Sequence, residues 1–205
     1  MIVSFSRKFV FVAVPKTAGH AVRRWLRDAL APDDWEQCTL FEQRLFPVPE
    51  LAAIGHGHLT SRQIVPWLLP GMWEAFFTFA VVRDPFERFR SYCAFMAPAI
   101  VASDDPLGEM KRLWERAPDR VLLRSQHDFL CDADGAVTVD LVARHERLEH
   151  YMGVVADRIG IPAAPLQRVN VSPARIDTPF DAELRGMIAD RYARDFDLFG
   201  YDPTA

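Results

Sequence analysis

Lysine is scarce in this chain. Lys8, Lys16 and Lys111 are the only lysines among 24 basic residues, and arginine fills the rest. An excess of base is missing too: 28 acidic residues leave a formal net charge of -4. Neither nucleic acid nor an anionic membrane is therefore an expected partner. Long apolar runs are absent. The opening run, Phe9 to Val14, falls far short of the roughly 20 residues that cross a bilayer. No small-residue cleavage site follows it, so a cytoplasmic location is expected. The three cysteines, Cys38, Cys93 and Cys131, are odd in number, far apart and without metal-ligand spacing. That pattern suits free thiols in a reducing compartment and argues against a disulfide frame. Repeats, low-complexity tracts and a Pro-rich linker are lacking as well, which predicts one domain over residues 1–205.

What is present is an apolar half of the sequence, enough for a sizeable core. Lys8 to Val14 reads as a strand buried on both faces and is broken by Pro15 to Gly19. His20 to Leu30 follows with Val22, Trp25, Leu26 and Ala29 at helical spacing. The order repeats with the strand Phe76 to Val82, the break Arg83-Asp84-Pro85 and a helix from Phe86 to about Met96. Asp84 suits its N-cap and Pro85 its first turn. Leu51 to Ile54 is a short candidate strand ahead of Gly55-His56-Gly57-His58, and Ser61 to Leu69 reads as helical despite Pro66. Further helices are expected at Leu107 to Arg116, Arg147 to Ile159 and Asp181 to Phe196. Strands alternating with helices predict an α/β fold with a central parallel sheet of about four or five strands flanked by helices.

In such sheets anions collect at the carboxyl ends of strands, where helix N-termini present free N–H groups. Pro15-Lys16-Thr17-Ala18-Gly19 stands at such a place. Its small residues let the backbone wrap a phosphate or sulfate oxygen, and Lys16 adds a point charge where the chain elsewhere uses arginine. No Gly-x-x-x-x-Gly-Lys-Ser/Thr loop occurs, which disfavours an ATP kinase. Arg83 at the second strand end and Ser91 two turns into its helix form a plausible second anion clamp. For Arg90 the expectation is a solvated position, and for Arg88 an acidic neighbour.

The segments Phe11 to Gly19 and Arg83-Asp-Pro-Phe-Glu-Arg-Phe-Arg-Ser91 together resemble the PAPS-dependent sulfotransferases (PAPS is 3′-phosphoadenosine 5′-phosphosulfate). The resemblance is to the branch related to heparan sulfate 2-O-sulfotransferase, with bacterial sulfotransferase family 2. Gln126 to Gly135, Arg144 to Glu146, Leu166 to Ser172 and Tyr192 to Tyr201 are similar to that family's later segments. The resemblance implies a P-loop NTPase-like sulfotransferase fold and metal-free transfer of a sulfuryl group from PAPS to a hydroxyl-bearing acceptor. It also implies donor contacts from Pro15, Lys16, Thr17, Ala18, Gly19, His20, Arg83, Ser91, Asn170 and Ser172. The family commonly continues from glycine with Thr-Ser, where this chain has His20-Ala21. Two hydroxyls are thereby lost, while the backbone N–H groups survive.

Sulfuryl transfer needs a base for the acceptor hydroxyl and a cation facing the charge that grows on the departing phosphate. Lys16 suits the second role. His56 and His58 suit the first, because imidazole titrates near neutrality and the flanking glycines let the backbone present it. The related enzymes carry His-Gly-His with the second histidine as base, which favours His58. A His-x-His pair also occurs in metal sites, but no third clustered ligand follows between Leu59 and Ile64, so no metal is expected. His127, His145 and His150 read as structural or exposed, and Glu146 as an arginine partner or an alternative base. Acceptor contacts are expected from the variable loops Cys38 to Pro49 and Pro98 to Pro118. A non-catalytic nucleotide-binding module and an unconventional kinase remain open at this level.

Overall fold

The computed structural model describes residues 1–40, 42–116, 120–166 and 176–204. Its strands are β1 (Ile2–Ser4), β2 (Phe9–Val12), β3 (Trp35–Glu36), β4 (Phe77–Val82) and β5 (Leu141–Arg144). Its helices of seven or more residues are α1 (Gly19–Arg27), α2 (Pro85–Met96), α3 (Pro106–Glu115), α4 (Leu148–Ile159), α5 (Ala182–Arg191) and α6 (Ala193–Phe199). The sheet order is β3-β1-β2-β4-β5.

Both expected apolar strands lie at the centre. The side chains of β2 are wholly buried, and so are those of β4 after Phe77. On one face Phe9, Phe11, Phe79 and Val81 pack with Val22 and Leu26 of α1 and with Met152, Val155 and Ile159 of α4. On the other, Val10, Val12, Ala80 and Val82 join residues of α2, α3, α5 and α6. Burial on two faces explains why these strands read as continuous apolar runs.

Four points depart from the sequence reading. Only β2, β4 and β5 run parallel; β1 is antiparallel to both β2 and β3. β1 precedes a tight turn with Lys8 at φ 54°, and such a turn joins neighbouring strands antiparallel. The candidate strand Leu51 to Ile54 is instead the end of a short helix, Pro49–Ala52, and the turn that follows it. Pro49 pre-sets its first turn, and a four-residue apolar run does not distinguish strand from helix. The expected helix Asp181 to Phe196 is broken at Tyr192, φ -108°, into α5 and α6. The tyrosine is buried there with its hydroxyl donating to the Leu123 carbonyl at 2.7 Å. Ser61 to Leu69 is helical only as a turn at Ser61–Ile64 and a 3-10 turn at Val65–Trp67.

Among the described residues no helix is long and apolar enough to cross a membrane. Cys38, Cys93 and Cys131 are buried free thiols.

Candidate active site

A cavity of about 760 Å³ opens where the three parallel strands end. Lys16, Ala18, Gly19 and His20 reach it from the turn after β2, Arg83 from the end of β4, and His145 from the end of β5. The short helix and turn after Pro49 bring His56 and His58 to the same space, and α2 brings Ser91.

The turn after β2 is held in an unusual shape. Lys16 (φ 65°) and Ala18 (φ 67°) both occupy the left-handed region without being glycine, at a cost on the order of 1–2 kcal/mol each. Thr17 helps impose it: the residue is buried and its hydroxyl donates to the Val14 carbonyl at 3.0 Å. Pro15 and Thr17 are thus turned into the protein while Lys16, Ala18 and Gly19 face the cavity. Helix α1 starts at Gly19 with no side-chain cap and no acidic residue in its first turn. Its N-terminal N–H groups and the positive end of its dipole face the cavity.

Lys16 has no carboxylate partner among the described residues. Its ammonium lies 4.1 Å from the centre of the Phe95 ring. Burial, with the Arg83 charge as a second cause, lowers its pKa to about 8. Arg83 is fixed through its backbone: its N–H donates to Gln126 Oε1 at 2.9 Å, and Gln126 Nε2 donates to its carbonyl at 2.8 Å. Gln126 is held in turn by the fully buried Asp195, which accepts from the N–H groups of Gln126 and His127 and from His127 Nδ1 at 2.8–2.9 Å. Neither Gln126 nor Asp195 had a role readable from spacing, because they lie 43 and 112 positions after Arg83 in sequence.

Helix α2 is capped as expected. Asp84 Oδ1 accepts from the Glu87 N–H at 3.0 Å, and Pro85 opens the helix. Arg90 is not solvated. It pairs with Glu87 at 3.1 Å, donates to the Ile176 and Thr178 carbonyls at 2.9 and 2.6 Å, and stacks on Phe180. Arg88 meets no acid among the described residues: it is buried against Tyr192 with Nη2 on the Arg124 carbonyl at 2.8 Å. Position decides both cases, since α2 is covered by α5 and offers no solvated face at those residues. Glu146 accepts from the Asp84 N–H and the Tyr201 hydroxyl, each at 3.0 Å, and meets no arginine among the described residues. His145, expected to be structural or exposed, lines the cavity; burial first, and Arg83 second, lower its pKa to about 4.

Beside the end of β2, His58 Nδ1 lies 2.7 Å from the Ala13 carbonyl. A carbonyl only accepts, so Nδ1 carries the proton and Nε2 is left with its lone pair. Burial, then Arg23, hold the His58 pKa well below its ordinary value, which keeps the ring neutral. His56 is a neighbour of lesser reach: its Nδ1 accepts the His58 backbone N–H at 3.3 Å, and burial lowers its pKa too. Gly57 between them has no room for a Cβ, which would collide with the Gln37 carbonyl oxygen. Cys38, Thr39 and Leu40 represent the first expected acceptor loop in the cavity wall. Asn170 and Ser172 lie outside the described residues.

The cavity therefore has a cationic end (Lys16, Arg83 and an uncapped helix) and a neutral imidazole facing the same space. No curated protein and no solved structure matches the chain. A family model described as Sulfotransferase family matches residues 1–93, which hold the lysine turn, the His-Gly-His turn, Arg83 and Ser91. Through this stretch, a little under half of its length, the chain is similar to the sulfotransferase family.

Proposed function

We propose that this protein transfers a sulfuryl group from PAPS to an acceptor hydroxyl, without a metal ion. The observation that carries the reading is Lys16, a half-buried ammonium with no carboxylate partner among the described residues, beside an uncapped helix N-terminus. A buried cation costs free energy unless an anion meets it, and a phosphosulfate is an anion that a lysine and backbone N–H groups hold together. Residues 1–205 act as a single domain in this reading.

In the proposed mechanism Lys16 and the N–H groups of Ala18, Gly19 and His20 hold the 5′-phosphosulfate, and Arg83 with Ser91 holds the 3′-phosphate. Asn170 and Ser172 remain further donor contacts, and Pro15 and Thr17 serve by shaping the turn. His58 Nε2 takes the proton of the acceptor hydroxyl as its oxygen bonds to sulfur. The bond from sulfur to the bridging phosphate oxygen breaks, and Lys16 faces the electron pair left on that oxygen. His56 supports the turn that presents His58.

The test is a thermal-shift comparison of adenosine 3′,5′-bisphosphate, ATP with magnesium, and no ligand. The bisphosphate alone is expected to raise the melting temperature, and Arg83→Ala to weaken its calorimetric affinity about tenfold or more. Stabilisation by magnesium ATP with indifference to the bisphosphate would overturn the reading in favour of a kinase.

A further inference from the structure

Arg23 stands on the wrong side of its helix. Residues 19, 22, 23 and 26 form the buried face of α1, so an arginine occupies a core position beside Val22 and Leu26. It is only 4% exposed, yet it lines the cavity. Its Nη2 donates to the Gly57 carbonyl at 3.2 Å and Nη1 to the Cys38 sulfur at 3.6 Å, a weak acceptor, while Nε is buried with no partner among the described residues. Glu36, a nearby carboxylate, is already bound by Arg27 at 2.9 Å and Arg44 at 3.5 Å. No carboxylate pairs with Arg23 among the described residues, and a buried guanidinium without a counter-ion is costly to desolvate. Arginine stays charged even so.

This charge does not belong to the cationic end already described. The ionisation of Lys16 is disturbed by Arg83, whereas Arg23 acts on His20 and His58. Arg23 also holds the carbonyl of Gly57, the residue between the two histidines. It sits at the base's end of the cavity, where the acceptor's hydroxyl must lie.

Resting on the sulfotransfer reading, we propose that Arg23 is an acceptor-recognition residue, and that the acceptor is a hydroxy acid whose carboxylate pairs with the buried guanidinium while its hydroxyl faces His58. The planar fork of a guanidinium matches a carboxylate, and the seclusion of Arg23 admits only a small, flat anion. The pair replaces the counter-ion that the fold leaves out.

The experiment titrates glycolate, 4-hydroxybenzoate and gluconate, each against its amide, by calorimetry on the protein with and without saturating adenosine 3′,5′-bisphosphate. With the bisphosphate present, at least one acid is expected to bind about tenfold or more tightly than its amide. Arg23→Met is expected to reduce that ratio to about twofold or less, and Arg23→Lys to keep part of it. The wild-type ratio needs no variant, so misfolding of Arg23→Met would not hide the answer. If the bisphosphate binds and no acid exceeds its amide, the acceptor proposal falls while the donor reading stands. If the bisphosphate does not bind but an acid is preferred through Arg23, the anion site stands and the sulfotransfer reading fails.

Discussion

The two strand-turn-helix units at the centre of this fold start their helices in opposite ways. After β4, α2 is closed by its own side chains: Asp84 caps it, Pro85 opens it and Glu87 lies in its first turn. After β2, α1 has neither cap nor acid, and its entry residues Lys16 and Ala18 sit in strained left-handed conformations. A helix that satisfies its own N-terminus has nothing left for an anion. One left unsatisfied, next to a lysine with no carboxylate partner among the described residues, gives up stability and keeps its N–H groups open to an anion. In the proposed mechanism the β4 unit contributes through the side chains of Arg83 and Ser91, and the β2 unit through its backbone N–H groups and Lys16.

The sharpest way to break this contrast is Lys16→Met. Transfer is expected to fall on the order of 10²–10³-fold, as when one charge-stabilising donor is lost elsewhere. Thermal stability should move the other way. The folded pKa of Lys16, about 8, lies below its ordinary value, so below pH 8 the folded state keeps this charge at a cost that the unfolded chain does not bear. The full shift corresponds to about 3 kcal/mol at neutral pH; discounted for the solvent screening of a partly exposed ammonium, removing the charge relieves about 1–2 kcal/mol, or a rise of about 2–8 °C in melting temperature for a chain of this size. Calorimetric melts and turnover of the same preparation check both. A variant that melts lower, or that retains turnover, would show that the β2 turn is not a strained binding place.

Much of this contrast could be read from the sequence, and the reasons differ by element. β2 and β4 were legible because strands buried on both faces must be apolar at every position. Asp84-Pro85 was legible because capping chemistry is local. The Lys16 turn stood out through lysine's rarity. β1 and β3 were not legible: three and two residues long, they are strands only by virtue of their neighbours. Arg90, Arg88 and His145 were misplaced because what covers α2 and the end of β5 arrives from distant segments. Arg23 was not singled out, because only the helix's rotation shows that it faces inward.

The next effect is a pH limb that belongs to the β2 turn alone. In kcat/KM, which reports the free enzyme, the charged form of Lys16 dominates below pH 8 and is lost as pH rises through it. Activity is expected to drop about tenfold per pH unit above that point. On the acid side, neutral His58 persists until well below its ordinary value, because burial, Arg23, the Met1 amino group and His56 all oppose its protonation. The profile should therefore be flat from mildly acidic pH up to about 8. A steep acid limb at pH 6–7 would remove His58 from the base's role, and an alkaline limb unchanged in Lys16→Arg would separate that limb from Lys16.

The smallest effect compares the two helix starts directly through Asp84→Ala and Ala18→Gly. Losing the Asp84 cap should cost about 1 kcal/mol, or about 2–4 °C, with the affinity for adenosine 3′,5′-bisphosphate changed less than about threefold. At Ala18 two terms oppose each other: glycine relieves the positive φ by about 1 kcal/mol but loses about 0.4–1 kcal/mol through a freer unfolded chain. The melting temperature should therefore stay within about 2 °C of wild type. Its signature should instead be kinetic, a raised KM for PAPS, since a glycine turn no longer holds the N–H groups in one arrangement before the donor arrives. If Ala18→Gly melted as far below wild type as Asp84→Ala, the left-handed alanine would be a stabilising turn residue, and the idea that the β2 unit gives up stability to hold an anion would lose its ground.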